Sequence, residues 1–278
     1  MNTAGSFVDE IERFVEQGKI QLPAFHPNAL RVQQELVKDE PNMGLVEQMI
    51  VRDQALAGEV LRIANSAYYK GLSEIKTVKA AIVRLGMQEV GRIVLLAASR
   101  NQYRSSDKEI NRLTVKLWQH SAGCGLAANW LARRCNYPEL AGQAFFAGLL
   151  HDIGKLFLLT AIEQVKLRTS GKMTWPLLME VLNSMHTGEG YSLMKRWNMP
   201  DEYCEVVRDH HMPDIDPKKS LMLLIRLADL ACNKLSIGLH TISDINLAAT
   251  TEANYLNLSE IDLAELEIML EDTKILVQ

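Results

Sequence analysis

Aromatic residues are scarce in this chain, 6% of 278 residues, while Leu, Ala, Met, Glu and Lys are plentiful, a balance that favours helices over sheets. Positive charge is not in excess. Thirty Lys and Arg against 34 Asp and Glu leave a net charge of −4, with no basic cluster, which argues against a nucleic-acid surface. Cysteine is sparse too: Cys124, Cys135, Cys204 and Cys232 are scattered through helical contexts without CxxC spacing. Free thiols in a reducing cytoplasm fit that pattern better than disulfides or a zinc knuckle. No apolar run approaches the roughly 20 residues needed to span a bilayer. The opening MNTAGSFVDEIERF is acidic and lacks the basic-then-apolar order of a signal peptide. Neither GxxxxGK[ST] nor GxGxxG occurs, so no phosphate-binding loop is on offer. The expectation is a cytoplasmic protein with no nucleic-acid and no membrane partner.

What is present is helical periodicity, and the fold class expected is all-α, with no convincing period-2 strand. Residues 5–19 read as an amphipathic helix ending near Gly18, before a proline break at 22–27 that holds His26. Helical spacing resumes over 28–40 and, after PNMG, over 45–69, where Asp53 is a fair N-cap for QALAGEVLRIANS. Residues 78–86, closed by Gly86, and 89–103 complete a set of short helices joined by short loops. The polar SSDKE stretch (105–109) is the best internal boundary, dividing an N-terminal helical subdomain (1–108) from a second helical domain (109–278). In the latter, residues 141–160 read as one buried helix, TWPLLMEVLNSMH as a helix ending at His186, and LMLLIRLADLACNKL (221–235) as central.

AGQAFFAGLLHDIGKLFLLT is the organising stretch. It buries His151 beside Asp152, and such a pair costs several kcal/mol unless both find partners. On a helix the two residues lie about 100° apart, close enough to converge on one site, and Lys155 adds a cation about one turn from Asp152. A metal ion would satisfy the pair; so would a mutual hydrogen bond. His120 in LWQHSAG, His186, His210 and His211 in RDHH, and Asp229 in RLADLA also interrupt apolar helices. Singly each has an ordinary explanation: a bonded core histidine, a helix C-cap at His186, an exposed imidazole, Asp229 pairing with Arg226, Lys155 pairing with a carboxylate. Jointly those explanations require separate partners for five imidazoles and two carboxylates. One dinuclear centre of iron, manganese, nickel or zinc would serve them all.

The order H…HD…H…HH…D resembles the HD superfamily of metal-dependent phosphohydrolases, including the HD-GYP branch that degrades cyclic dinucleotides. That resemblance implies one metal held by His120, His151, Asp152 and Asp229. It implies a second held by His186, His210 and His211, with Asp152 bridging and Lys155 contacting a phosphate oxygen or the bridging water. The chain departs from HD-GYP after the paired histidines, with HHMPDIDP where DGxGYP would follow. A second resemblance covers roughly residues 20–235. LPAFHPNALRVQQEL, IVRDQALAGEVLRIANSAYY, IKTVKAAIVRLGMQEVGRIVLLA and RWNMPDEYCEVVRDHHMP are similar to the HDOD domain, the HD-related output domain of bacterial signalling proteins.

Two functions follow. One is a phosphohydrolase with two metal ions, in which Asp152 and Lys155 are catalytic and the substrate is a small phosphoester such as a nucleotide or cyclic nucleotide. The other is a signalling scaffold whose partner is a protein and whose metal is structural or vestigial.

Overall fold

The computed structural model describes residues 3–16, 20, 27–36, 38–66, 68–69, 71, 73–167 and 174–274. Every regular element among them is helical, as expected. The chain forms two compact units: Met1–Leu22 with Ser105–Leu270, and Pro23–Arg104 with Glu271–Gln278. Helix α1 (Thr3–Glu16) therefore belongs with the later helices, and its buried Ile11 and Phe14 lie on the face expected of an amphipathic helix. The end proposed near Gly18 and the proline break holding His26 lie outside the described residues.

The smaller unit contains α2 (Pro27–Leu36), α3 (Met43–Val51), α4 (Gln54–Ala64), α5 (Val78–Leu85) and α6 (Met87–Arg100). Asp53 does cap α4, its carboxylate accepting from the Leu56 amide at 3.0 Å. Gly86 ends α5 at φ +85°, a backbone conformation that side chains disfavour. Asn65 does more than close α4. Its side-chain amide donates to the Leu61 and Ile75 carbonyls at 2.9 and 2.8 Å and accepts from the Ile75 amide at 2.7 Å. One asparagine thus ties the loop after NSAYY back onto the helix that precedes it.

The larger unit is built on α7 (Lys108–Arg134), α8 (Ala141–Leu150), α9 (Ile153–Lys166), α10 (Trp175–Arg196), α11 (Asp201–Asp209), α12 (Ser220–Lys234), the short α13 (Thr251–Tyr255) and α14 (Glu260–Lys274) as far as Leu270. Phe145, Phe157, Leu117, Leu131 and Leu156 are among its fully buried side chains. Two sequence expectations change here. Residues 141–160 are two helices, not one: α8 stops at Leu150, and Asp152 (φ −101°, ψ 17°) leaves helical geometry before α9 starts. Conversely, the helix expected to stop at His186 continues to Arg196 in one 22-residue α10, which puts His186 in the middle of a helix and not at a C-cap.

Close backbone approaches make these crossings. A Cβ on Gly148 would lie 2.7 Å from the Cys124 carbonyl, and one on Gly125 2.9 Å from the Phe145 carbonyl, so α7 and α8 pack glycine to backbone. A Cβ on Gly154 would run into the His186 carbonyl, which fixes α9 against α10. Pro138–Lys166, 29 residues, is long and apolar enough to cross a membrane, contrary to the expectation that no segment would be. Its most apolar window is 89% buried among the other helices, so it is a core element.

Candidate metal centre

The break between α8 and α9 builds the site. Asp152 occupies the N-cap position of α9 yet makes no capping hydrogen bond; its carboxylate is turned inward instead. Helix α7 brings His120, α10 brings His186, the C-terminal end of α11 brings His210 and His211, and α12 brings Asp229. All seven residues proposed from sequence as ligands come together. All but His211 are buried, Asp152 to 1% exposure and His151 to 0%.

Each inner histidine is held through Nδ1. His120 faces the Ile237 carbonyl at 2.9 Å, His151 that of Gly148 at 2.7 Å, His186 that of Asn183 at 3.2 Å, and His210 those of Val206 and Val207 at 3.0 Å. A carbonyl only accepts, so Nδ1 carries the proton and Nε2 is left to face the centre. The Nε2 atoms of His120 and His151 lie 3.5 and 3.6 Å from Asp152 Oδ2; those of His186 and His210 each lie 3.5 Å from Asp152 Oδ1. One carboxylate oxygen therefore serves each pair of imidazoles. His120 Nε2 is also 3.1 Å from Asp229 Oδ1 and 3.2 Å from His151 Nε2.

The electrostatics follow from this crowding. Burial pushes His151 and His186 down to about 3 and His211 down to about 4, leaving neutral imidazoles with available lone pairs. Burial opposes charge on His120 as well, but the hydrogen bond and charge of Asp229 override it and push His120 up to about 9. Burial would raise Asp152; the Lys155 ammonium beside it outweighs that and holds the carboxyl well below the usual range. Lys155 Nζ donates to Asp152 Oδ2 at 2.7 Å, so its pairing with a carboxylate is real. Without a cation, two carboxylates are balanced by one ammonium and one imidazolium. The proton on His120 is then what a metal ion would displace.

The donor set fits such an ion. Asp152 Oδ1, His186 Nε2 and His210 Nε2 are buried atoms without a hydrogen-bond partner, an arrangement costing several kcal/mol if nothing fills it. Among the described residues two groups of donor atoms lie within 4.8 Å of one another: His120, Cys124, His151 and Asp229; and Asp152, His186, His210 and His211.

Sequence reading missed several supporting residues. Arg226 does not pair with Asp229. It donates to Glu252 at 2.8 Å and to the His210 and Met212 carbonyls at 3.0 and 2.6 Å, holding the paired-histidine turn. Asn233, four residues after Asp229, donates to its Oδ1 at 2.8 Å. That spacing of four was the available signal, as it was for Cys124 after His120. His240 joins Leu239, Lys155, Asp152, His120, Leu117 and Asn233 around a recess with no water-sized space left in it; nothing in its local sequence marks it.

Comparison with known proteins agrees with this architecture. The HDOD domain family model matches residues 22–213. A crystal structure of an HDOD domain protein from Geobacter sulfurreducens superposes with a TM-score of 0.73 at 20% identity, covering 98% of this chain and 96% of that one. A Shewanella amazonensis SB2B structure described as "Putative metal-dependent phosphohydrolase" superposes with a TM-score of 0.76 at 20% identity over the full length of both chains. At that identity the likeness establishes the fold alone. An uncharacterised Treponema pallidum protein is 22% identical over 214 residues, 75% of this chain, which spans only 39% of that relative. With the family match running through six of the seven converging residues, all but Asp229, the chain belongs to the HDOD family.

Proposed function

We propose that this HDOD protein retains a dinuclear HD-type centre and hydrolyses a phosphoester, a nucleotide or cyclic nucleotide being the class expected. His120, His151, Asp152 and Asp229 would hold one ion, and Asp152, His186, His210 and His211 the other, with iron, manganese, nickel or zinc suited to such nitrogen and oxygen donors. The observation that carries this reading is the pair of oxygens of Asp152, each facing two imidazole Nε2 atoms across 3.5 to 3.6 Å. When bound, such ions bring the pKa of a coordinated water toward neutrality and offset charge on phosphoryl oxygens. The chain's own part is orientation: backbone carbonyls fix the imidazoles of His120, His151, His186 and His210, Asn233 fixes Asp229, and Arg226 fixes the His210–His211 turn. Lys155 supplies a buried ammonium that neutralises Asp152 and can turn to a phosphate oxygen. Where HD-GYP proteins have DGxGYP this chain has HHMPDIDP, so a cyclic dinucleotide is not singled out.

Two observations favour a second reading, a signalling module that acts through protein contacts and uses its metal structurally. The recess lined by Lys155, Asp152 and His240 holds no water-sized space, and the unit spanning 23–104 supplies none of the converging residues. Protein purified from cytoplasm without chelator decides between them. One to two transition-metal ions per chain, with turnover of bis-p-nitrophenyl phosphate or a cyclic dinucleotide, supports the hydrolase. Metal without turnover, under reconstitution with each ion, supports the module. No metal after reconstitution defeats the dinuclear centre.

A further inference from the structure

The first donor group contains a side chain that the H…HD…D pattern does not account for. Cys124 follows His120 by one turn of α7 and is fully buried, its Sγ 3.7 Å from His120 Nε2 and 4.0 Å from Nδ1. Gly125 and Gly148 allow α8 close enough to bring His151 to the same point, and the donor atoms of His120, Cys124, His151 and Asp229 all lie within 4.8 Å of one another. The distances have the form of a coordination shell. Tetrahedral ligation with metal–nitrogen bonds near 2.0 Å and a metal–sulfur bond near 2.3 Å sets nitrogen and sulfur about 3.5 Å apart and two nitrogens about 3.3 Å apart. The observed separations are 3.7 Å for Cys124 to His120 and 3.2 Å for His120 to His151. An independent sign that the cavity is built for a cation is the adjoining trio of unpartnered atoms on Asp152, His186 and His210, all at least 97% buried.

We propose that Cys124 is a thiolate ligand of the ion held by His120, His151 and Asp229. The proposal rests on the reading that this centre binds metal. On binding, the Sγ–H bond breaks, the proton leaves to solvent, and the sulfur pair forms the bond to the ion. A sulfur donor makes this half of the centre select zinc, iron(II) or cobalt(II) over magnesium and manganese. The neighbouring Cys232, on α12, also lies close to this group, with its Sγ 3.2 Å from a Cβ built at Gly123, and is the natural control.

Cobalt(II) tests the assignment by spectroscopy without any assay of turnover. The full chain is stripped with chelator, loaded with cobalt(II) under anaerobic conditions, and compared with Cys124→Ser, Cys232→Ser and a triple Cys135→Ser, Cys204→Ser, Cys232→Ser variant in which Cys124 is the only thiol. Expected are ligand-field bands in all four proteins. A near-ultraviolet sulfur-to-cobalt charge-transfer band should appear in all but Cys124→Ser. The triple variant keeps the test decisive even if Cys124→Ser fails to fold. Ligand-field bands without the charge-transfer band in the wild type overturn the thiolate and leave the metal centre standing. Loss of the band on Cys232→Ser, with retention in Cys124→Ser, also overturns it. Absence of every cobalt band defeats the metal reading itself and the thiolate with it.

Discussion

At the residue scale the centre turns on one carboxylate. Asp152 neutralises Lys155, faces four imidazoles and gives up the capping bond that its position offers. On the proposed dinuclear reading, Asp152→Ala should therefore abolish metal binding at both halves, where a single histidine change weakens mainly its own. Without the carboxylate, buried Lys155 is left uncompensated, a loss on the order of 3–5 kcal/mol. Metal stoichiometry by elemental analysis checks this; retention of both ions in Asp152→Ala alongside loss of both in His210→Ala would show that Asp152 does not bridge. Lys155→Met tests the ammonium separately, since it keeps most of the stem while deleting the charge. Its melting temperature should fall in chelated protein, where Asp152 loses its counter-charge, and recover when ions are restored. Phosphoesterase turnover, if the wild type has it, should drop at least tenfold at unchanged metal content. Unchanged turnover would leave Lys155 a purely structural counter-ion.

At the scale of elements, the α9–α10 crossing positions the second half of the centre. Gly154 meets the His186 carbonyl, and Gly190 lies beside Gly154, so neither tolerates a side chain. Gly188, two residues away on the same helix, has open space where its Cβ would be. Gly154→Ala should cost about 1–3 kcal/mol by overpacking and weaken metal retention through displaced His186. Gly188→Ala should instead stabilise α10 by about 0.5–1 kcal/mol. Thermal melts with metal analysis of the two variants give the comparison; equal effects would mean that the crossing is not fixed by backbone approach.

At the scale of the molecule, the sequence break at SSDKE coincides with where the larger unit resumes, but α1 also lies in that unit, against α9. A fragment of 105–278 alone would uncover the apolar surface that buried Ile11, Phe14 and Val15 occupy. It should melt below the intact chain and bind the dye ANS, whereas the same fragment with residues 1–22 added in trans should regain protection. Stability equal to the intact chain would show that α1 contributes nothing to this unit.

The all-α class, the cap at Asp53, the stop at Gly86 and the set of histidines and carboxylates were legible in the sequence, because periodicity, capping and buried polar groups are local signals. The break after Leu150 was not, because apolar residues flank His151 and Asp152 on both sides and hydropathy does not register a change of backbone angle at one residue. Nor was the continuity of α10, where HTGEG suggested an end: packing of Gly190 against Gly154 keeps the helix intact against the weak propensity of its glycines. The partners of Arg226 lie on segments distant in sequence, and the roles of Cys124 and Asn233 depend on which face of a helix is buried. The sequence by itself determined which residues had to find polar partners, since burial of charge is costly wherever it occurs. Only the tertiary structure decided which of them share a partner, because that depends on where five helix segments cross and on the glycines that let them approach.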